Sequence, residues 1–201
     1  VIGAKVKSTD LTNGYVTTLS TGQGNKNVSL KVDATNLELN GGVGITTADI
    51  EATNGVIHVI DKVLLPPTVV DIALDNDNFS ILVSALVKAE LVETLQGDGP
   101  FTVFAPTNDA FNALFDALDV TGIADLSKEA LTPILLDHVV SGNVRSTDLT
   151  TGTVNTLNNS ISIDVSSGVK INGDINVVLA DVQGTNGVVH VIDKVIVTPT
   201  K

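Results

Sequence analysis

The sequence contains no cysteine, no methionine and no tryptophan, and aromatic residues make up only 3% of it. Without cysteine there can be no disulfides and no thiolate metal site. The lack of methionine implies a processed or trimmed piece of a longer parent. Basic side chains are also scarce: 11 Lys and Arg stand against 23 Asp and Glu, a net charge of −12. That balance excludes a nucleic-acid partner, whose phosphates need basic patches. The acidic residues are scattered rather than blocked, which implies a solvated surface. No run approaches the roughly 18 apolar residues of a membrane helix, and no signal peptide or lipidation motif is visible. What is present is a hydrophobic fraction of 43%. The core must therefore be built from Val, Ile, Leu and Ala, with Phe79, Phe101, Phe104, Phe111 and Phe115 gathered in one region.

The chain repeats itself. Thr53-Asn54-Gly55-Val56-Ile57-His58-Val59-Ile60-Asp61-Lys62-Val63 returns at residues 185–195 with ten of eleven positions identical, Ile57 becoming Val189. A second block, Ser8-Thr9-Asp10-Leu11-Thr12-Asn13-Gly14, returns at residues 146–152 with six of seven identical. The offsets are 138 and 132, so the first copy carries six extra residues between the blocks. The polar stretch Thr21–Asn27 is the expected place, as a longer hairpin loop. A repeat of this kind decides the reading of the whole fold. Residues 1–67 match roughly 139–199, and nothing in the first copy corresponds to 69–138. The chain reads as one and a half units, 1–67 and 68–201. Pro66-Pro67 marks the boundary, with Thr198-Pro199-Thr200 at the equivalent place, and the parent is expected to continue beyond this piece.

Residues 69–138 read as helices with one strand. Val69–Leu74 is a short apolar-periodic segment, and Asp77 or Asn78 is expected to cap a helix near Phe79–Lys88. Phe101–Phe104 reads as a strand after the turn signal Gly97-Asp98-Gly99-Pro100. Thr107 is expected to cap a helix over Asn108–Leu118, with Phe111, Leu114, Phe115 and Leu118 facing inward and Asp109 complementing the helix dipole. Another helical segment runs from Ser127 toward His138, with Pro133 expected to kink it or restart the turn. Residues 139–199 read as strands, with hairpin signals at Asn172-Gly173-Asp174 and Thr185-Asn186-Gly187. Val188–Val197 reads as a strand covered on both faces. Helices followed by strands indicate an α+β fold.

Few residues carry chemistry. His58, His138 and His190 are the only histidines, the natural choices for a metal site or a base. Recurrence of His in identical apolar contexts favours a buried imidazole held by hydrogen bonds. His58, Asp61, His190 and Asp193 are therefore expected to be structural. His190 and Asp193 should lie on opposite strand faces unless a bulge intervenes. Asp75-Asn76-Asp77-Asn78 fails the calcium-loop test, since Ser80 and Lys88 fall where Gly and Glu are required. Asn27-Val28-Ser29, Asn78-Phe79-Ser80 and Asn158-Asn159-Ser160 are formal glycosylation sequons. No nucleophile elbow, phosphate loop or dinucleotide fingerprint occurs, and no catalytic, cofactor-binding or metal-binding residue is expected.

Two long segments and a shorter one between them resemble the fasciclin I domain, FAS1. The first is Thr102-Val103-Phe104-Ala105-Pro106-Thr107-Asn108-Asp109-Ala110-Phe111, and the second is Gly187-Val188-Val189-His190-Val191-Ile192-Asp193-Lys194-Val195. Between them Leu135-Leu136-Asp137-His138-Val139-Val140 resembles the family's central Tyr-His segment, with Asp137 where the family often has Tyr. The resemblance implies a wedge-like β-sandwich flanked by helices, complete over 68–201 and represented by its C-terminal half in 1–67. It implies a secreted or cell-surface adhesion module, and the acidic, Cys-free, Thr/Asn-rich composition favours a bacterial surface or periplasm. Such a module would be non-enzymatic and without cofactor. Its partners would be an extracellular protein, a glycan or another FAS1 copy. A structural spacer is the alternative, and a hydrolase of surface polymers a remoter one. Asp137 and His138, with the Gly22–Asn27 loop, are the candidate ligand contacts. The integrin binding reported for the Tyr-His region of some animal members is not carried over, because Asp137 replaces the Tyr. Without a counterpart of 69–138, the sheet of residues 1–67 is expected to expose an apolar face. An upstream segment, a neighbouring copy or the complete unit itself could cover it, and the first is the favoured arrangement.

Overall fold

The computed structural model describes residues 1–197; the Thr198-Pro199-Thr200 boundary signal lies outside them. Two sheets and a helical layer make up the fold. The first sheet runs in sequence order through β1 (Gly14–Thr21), β2 (Asn27–Asp33), β3 (Glu38–Leu39), β4 (Val43–Ala52) and β5 (Gly55–Ile60), every neighbour antiparallel. The helical layer follows: α1 (Val69–Leu74), α2 (Ser80–Lys88), α3 (Val92–Gln96), then strand β6 (Phe101–Pro106), α4 (Asn108–Leu118) and α5 (Lys128–Leu136). The remaining strands are β7 (Val139–Ser141), β8 (Gly152–Asn155), β9 (Ser160–Asp164), β10 (Lys170–Ile171), β11 (Ile175–Gln183) and β12 (Gly187–Ile192). With β6 they form a seven-stranded sheet in the order β7-β6-β12-β11-β10-β9-β8. Among the described strands of this sheet only the β6–β12 pair is parallel, Phe101 opposite Gly187 through Pro106 opposite Ile192. The fold is α+β.

Alternation along β12 explains how the second sheet is covered on both faces. Val189 and Val191 point to the helical layer, where they join Phe79, Leu82, Leu86, Phe111, Phe115, Leu131 and Leu135. Ile192 points the other way, into a separate core with Phe104, Val140, Ile161, Ile163, Ile171 and Ile196. Strands at opposite ends of the sheet share that core, so the sheet bends onto itself as a sandwich. The strand ends at Ile192, short of the expected Val197, because the chain turns at Asp193-Lys194.

The helix starts differ in legibility. Thr107 accepts the amide of Ala110 at 3.2 Å, a local cap at the expected residue; such caps contribute about 1 kcal/mol. Helix α2 is another matter. Asn76 caps a short 3-10 turn over Asp77–Phe79, and α2 begins at Ser80. Its Ile81 amide is satisfied by Asn108 Oδ1 at 3.0 Å, from the start of α4. Asn108 Nδ2 also donates to the Asp77 carbonyl at 2.8 Å and Ser80 Oγ at 3.0 Å, tying the two helix starts together. Leu118, expected to face inward, is exposed where α4 ends on left-handed Asp119. Pro133 sits within α5 without ending it.

The two sheets reproduce each other. Paired positions place Gly14 opposite Val32 and Gly152 opposite Ile163. They place Leu39 opposite Val32 and Ile171 opposite Ile163. The β1–β2 hairpin is thus longer by seven residues in the first copy, and the β2–β3 connection shorter by one, which leaves the net six. Register shifts also match: β4 and β5 slip on either side of Thr47, and β11 and β12 slip on either side of Leu179.

Candidate functional site

The repeated histidines hold the repeated strands to the loop before them. His190 is fully buried, stacked on Phe104 at a ring separation of 5.6 Å. Its Nε2–H donates to the Val144 carbonyl at 2.9 Å, and its Nδ1 accepts from the Asp181 amide at 3.3 Å. In the first copy His58 Nε2–H donates to the Val6 carbonyl at 2.9 Å, and Nδ1 faces the Asp49 amide at 3.4 Å. Asp49 and Asp181 have left-handed backbones, φ of 61° and 65°. That turn brings each carboxylate onto a serine. Asp181 accepts the Ser146 amide at 2.8 Å and its hydroxyl at 2.5 Å; Asp49 accepts the same two groups of Ser8 at the same distances. The Ser8 hydrogen bonds hold the Asp49 carboxyl below the usual range. The recurrence of Ala-Asp at 48–49 and 180–181 was the sequence signal for this bracket, but its partner serine lies 41 and 35 residues away, respectively.

Asp61 and Asp193 serve other bonds. Asp193 accepts the Asn176 amide at 2.8 Å and its side-chain Nδ2 at 2.6 Å, closing the end of the β11–β12 ladder. Asp61 accepts the Gly44 amide at 2.8 Å. Neither aspartate joins its neighbouring histidine. Asp109 stands in the first turn of α4.

The candidate ligand contacts Asp137 and His138 lie inside the protein, each 2% exposed. His138 Nδ1–H donates to the Ile134 carbonyl at 2.8 Å, and Nε2 accepts from the Ile196 amide at 2.8 Å. Burial pushes its pKa down to about 4, against the Ile134 bond and the Asp137 charge. The ring is neutral and pins the segment after β12 to the α5–β7 corner. Asp137 holds the opposite side of that corner. Its Oδ1 accepts from Asn158 Nδ2 at 3.0 Å and from Thr156 Oγ1 at 3.3 Å. What reaches solvent is the loop it braces, with Leu157, Asn158 and Asn159 exposed. Thr156 shapes the loop further, accepting the Asn159 amide at 2.8 Å.

The opposite tautomers of His138 (Nδ1–H) and His190 (Nε2–H) follow from their carbonyl partners. Long-range 1H–15N spectra at pH 8 should show this pair of patterns. The same tautomer at both rings would refute the arrangement.

The Gly22–Asn27 loop is a bridge between the two halves. The Gln23 amide donates to the Thr185 carbonyl at 2.9 Å, Asn143 Nδ2 donates to the Gln23 carbonyl at 3.3 Å, and Gln23 Nε2 bonds the Asp98 carbonyl. Nearby, the Gln183 amide donates to Ser29 Oγ at 3.0 Å. A Cβ on Gly22 would stand 2.8 Å from the Gly184 carbonyl oxygen. Only glycine allows that approach.

Comparison with known proteins agrees with this architecture. The Fasciclin domain model matches residues 1–66 and 77–198. Protein sll1483 of Synechocystis sp. is 44% identical over 134 residues, 66% of this chain and 74% of its own length. An uncharacterized protein of the same organism, sll1735, is 40% identical over 132 residues, 65% of this chain and 97% of its own. Human periostin is 34% identical over 151 residues, which are 73% of this chain but 18% of periostin. Among solved structures, a FAS1 domain pair from the insect cell adhesion molecule Fasciclin I aligns with a TM-score of 0.61 at 24% identity, covering 92% of this chain and 67% of that one. The chain belongs to the Fasciclin domain family.

Proposed function

We propose that the protein is an extracellular or cell-surface adhesion module, built from the C-terminal half of one FAS1 unit (residues 1–67) and a second, complete unit (68–201). It recognises a matrix protein, a glycan or another FAS1 copy by non-covalent contact, in a secreted or surface-attached setting such as a bacterial surface or periplasm. The observation that carries this reading is the likeness over 92% of the chain to a domain pair from a cell adhesion molecule. The arrangement of polar groups supports it. All three imidazoles make intramolecular hydrogen bonds that fix strands and loops. Asp137 contributes from beneath: it braces the exposed 156–159 loop, which offers amide side chains and Leu157 to a partner, while His138 pins the segment after β12. Repetition of units adds avidity where several engage one surface.

An array of glycans and matrix proteins tests the reading. At least one hit is expected, weakened as salt is raised, because an acidic protein meets its partner partly through charge. Replacing Leu157, which is exposed, with Ala should weaken the same hit while leaving the melting temperature within a few degrees. No hit on the array would favour a structural spacer.

A further inference from the structure

We propose that Asn143, Arg145 and Gln183 enclose one buried water molecule, which fastens the β1–β2 hairpin of the first sheet to the second unit. The inference does not depend on the adhesion reading.

Three of the four buried side-chain polar atoms without a hydrogen-bond partner among the described residues belong to these side chains: Asn143 Oδ1, Arg145 Nε and Gln183 Oε1. The duplication makes them neighbours. By the offsets of 138 and 132 their counterparts are Lys5, Lys7 and Glu51. Those three meet at the surface, the Lys5 and Lys7 amines 3.0 and 2.7 Å from the Glu51 carboxylate. The backbones that carry both sets are held alike. His58 bonds the Val6 carbonyl and Ser8 bonds Asp49, as His190 bonds the Val144 carbonyl and Ser146 bonds Asp181. Asn143 and Arg145 flank Val144 as Lys5 and Lys7 flank Val6, so they approach residue 183 as the lysines approach residue 51.

The second copy of this cluster is covered where the first is open. Gln183 is 0% exposed, its amide donating to Ser29 Oγ at 3.0 Å. The Gln23 segment closes over Asn143 and Thr185. Of the three charges in the open copy, only that of Arg145 remains in the covered one. Reach differs as well. The long Lys5 side chain touches Glu51 directly, whereas the shorter Asn143 turns its Nδ2 to the Gln23 carbonyl at 3.3 Å. A span that lysine closes by itself is left for a small molecule to close.

The chemistry of the three atoms selects that molecule. Gln183 Nε2 donates to the Gly184 and Gly187 carbonyls at 2.9 and 2.8 Å, so a flipped amide would set oxygen against two carbonyl oxygens. The Asn143 amide is oriented by Gln23 in the same way. What remains is a pair of amide oxygens that accept and a guanidinium N–H that donates. The oxygens repel an anion, Arg145 repels a metal cation, and an apolar group would satisfy none of the three. Water offers both hydrogens to the oxygens and a lone pair to Arg145, the pattern of a buried structural water.

NMR of the 201-residue chain, with magnetisation transferred selectively from water to the Arg145 Nε–H and the Gln183 side-chain amide, tests the proposal. Cross-peaks with the sign of a water that tumbles with the protein are expected at both groups. Asn143→Leu keeps the branched shape but removes an acceptor. It should shorten the water's residence about tenfold and speed exchange of the Gln23 amide. Cross-peaks with the sign of bulk water would overturn the proposal, because the seam would then be open to solvent. No water signal at either group, with Arg145 bonded directly to Gln183, would overturn it too. Crystals of the unaltered chain grown from bromide give a second measurement that stands even if the variant fails to fold. A light, uncharged density peak within hydrogen-bond reach of all three atoms is expected, and an anomalous bromide signal in its place would replace the water with an anion.

Discussion

Gly187→Ala is expected to lower the melting temperature by roughly 10 °C or more, whereas Gly55→Ala, the same change in the same repeated motif, leaves it almost where it was. The cause is the strand next door. Gly187 stands opposite Phe101 in the parallel ladder, and an added Cβ would lie 2.1 Å from the Phe101 carbonyl oxygen and 2.9 Å from its carbon and nitrogen. Those are backbone atoms of a buried strand, so no side chain can swing aside. Relief requires prising β12 from β6, which would disturb the Asn186 hydrogen bonds and the helix-facing valines together. Overpacking against backbone of this kind costs at least about 3 kcal/mol. Gly55 meets nothing within 4 Å, so its change should stay within about 0.5 kcal/mol. Thermal melts followed by circular dichroism decide the matter; equal losses at the two positions would contradict the geometry.

This contrast shows what a sequence can and cannot disclose. The duplication was legible because the two copies of the His-Val-Ile-Asp-Lys motif are nearly identical. So were the α+β class and the Thr107 cap, which acts within its own turn. What escaped were bonds between residues far apart in the chain. Asn108 caps α2 across 27 residues, and no local pattern announces that. The Ser29–Gln183 bond that seats the first sheet on the second spans 154 residues. Leu118 fits the apolar period of α4 yet emerges into solvent because the helix runs past the core it covers. In the candidate site, the Asp137-His138 pair could be located but its environment could not. Whether those side chains faced solvent depended on the 156–159 loop folding over one and on Ile196 meeting the other. Identity between Gly55 and Gly187 likewise says nothing about neighbours, and the physical demand at each comes from a strand that is adjacent in space only once.

Acid should destabilise the fold through His138. In the unfolded chain its pKa would be the ordinary value near 6.5, and in the folded protein burial lowers it to about 4. The unfolded state therefore binds the proton first as the pH falls. Stability is full above about pH 6.5, falls between there and pH 4, and levels off once both states are protonated. The loss by pH 4.5 is about 2 kcal/mol. His190 acts in the same direction, its pKa lowered chiefly by burial. Asp75 acts in the opposite one, since burial raises its pKa and the folded form takes up the proton first. Self-repulsion among the acidic side chains also fades as the pH nears the isoelectric value of about 4.3. The informative quantity is therefore a difference. His138→Gln keeps an amide to accept from Ile196 or donate to Ile134 but cannot titrate. Urea unfolding of both proteins at pH 7 and pH 4.5 should show the variant less stable at pH 7, with a pH dependence flatter by about 2 kcal/mol. Parallel losses in the two proteins would mean that the ring does not stay neutral in the interior, and the pin from His138 to Ile196 would have to be abandoned.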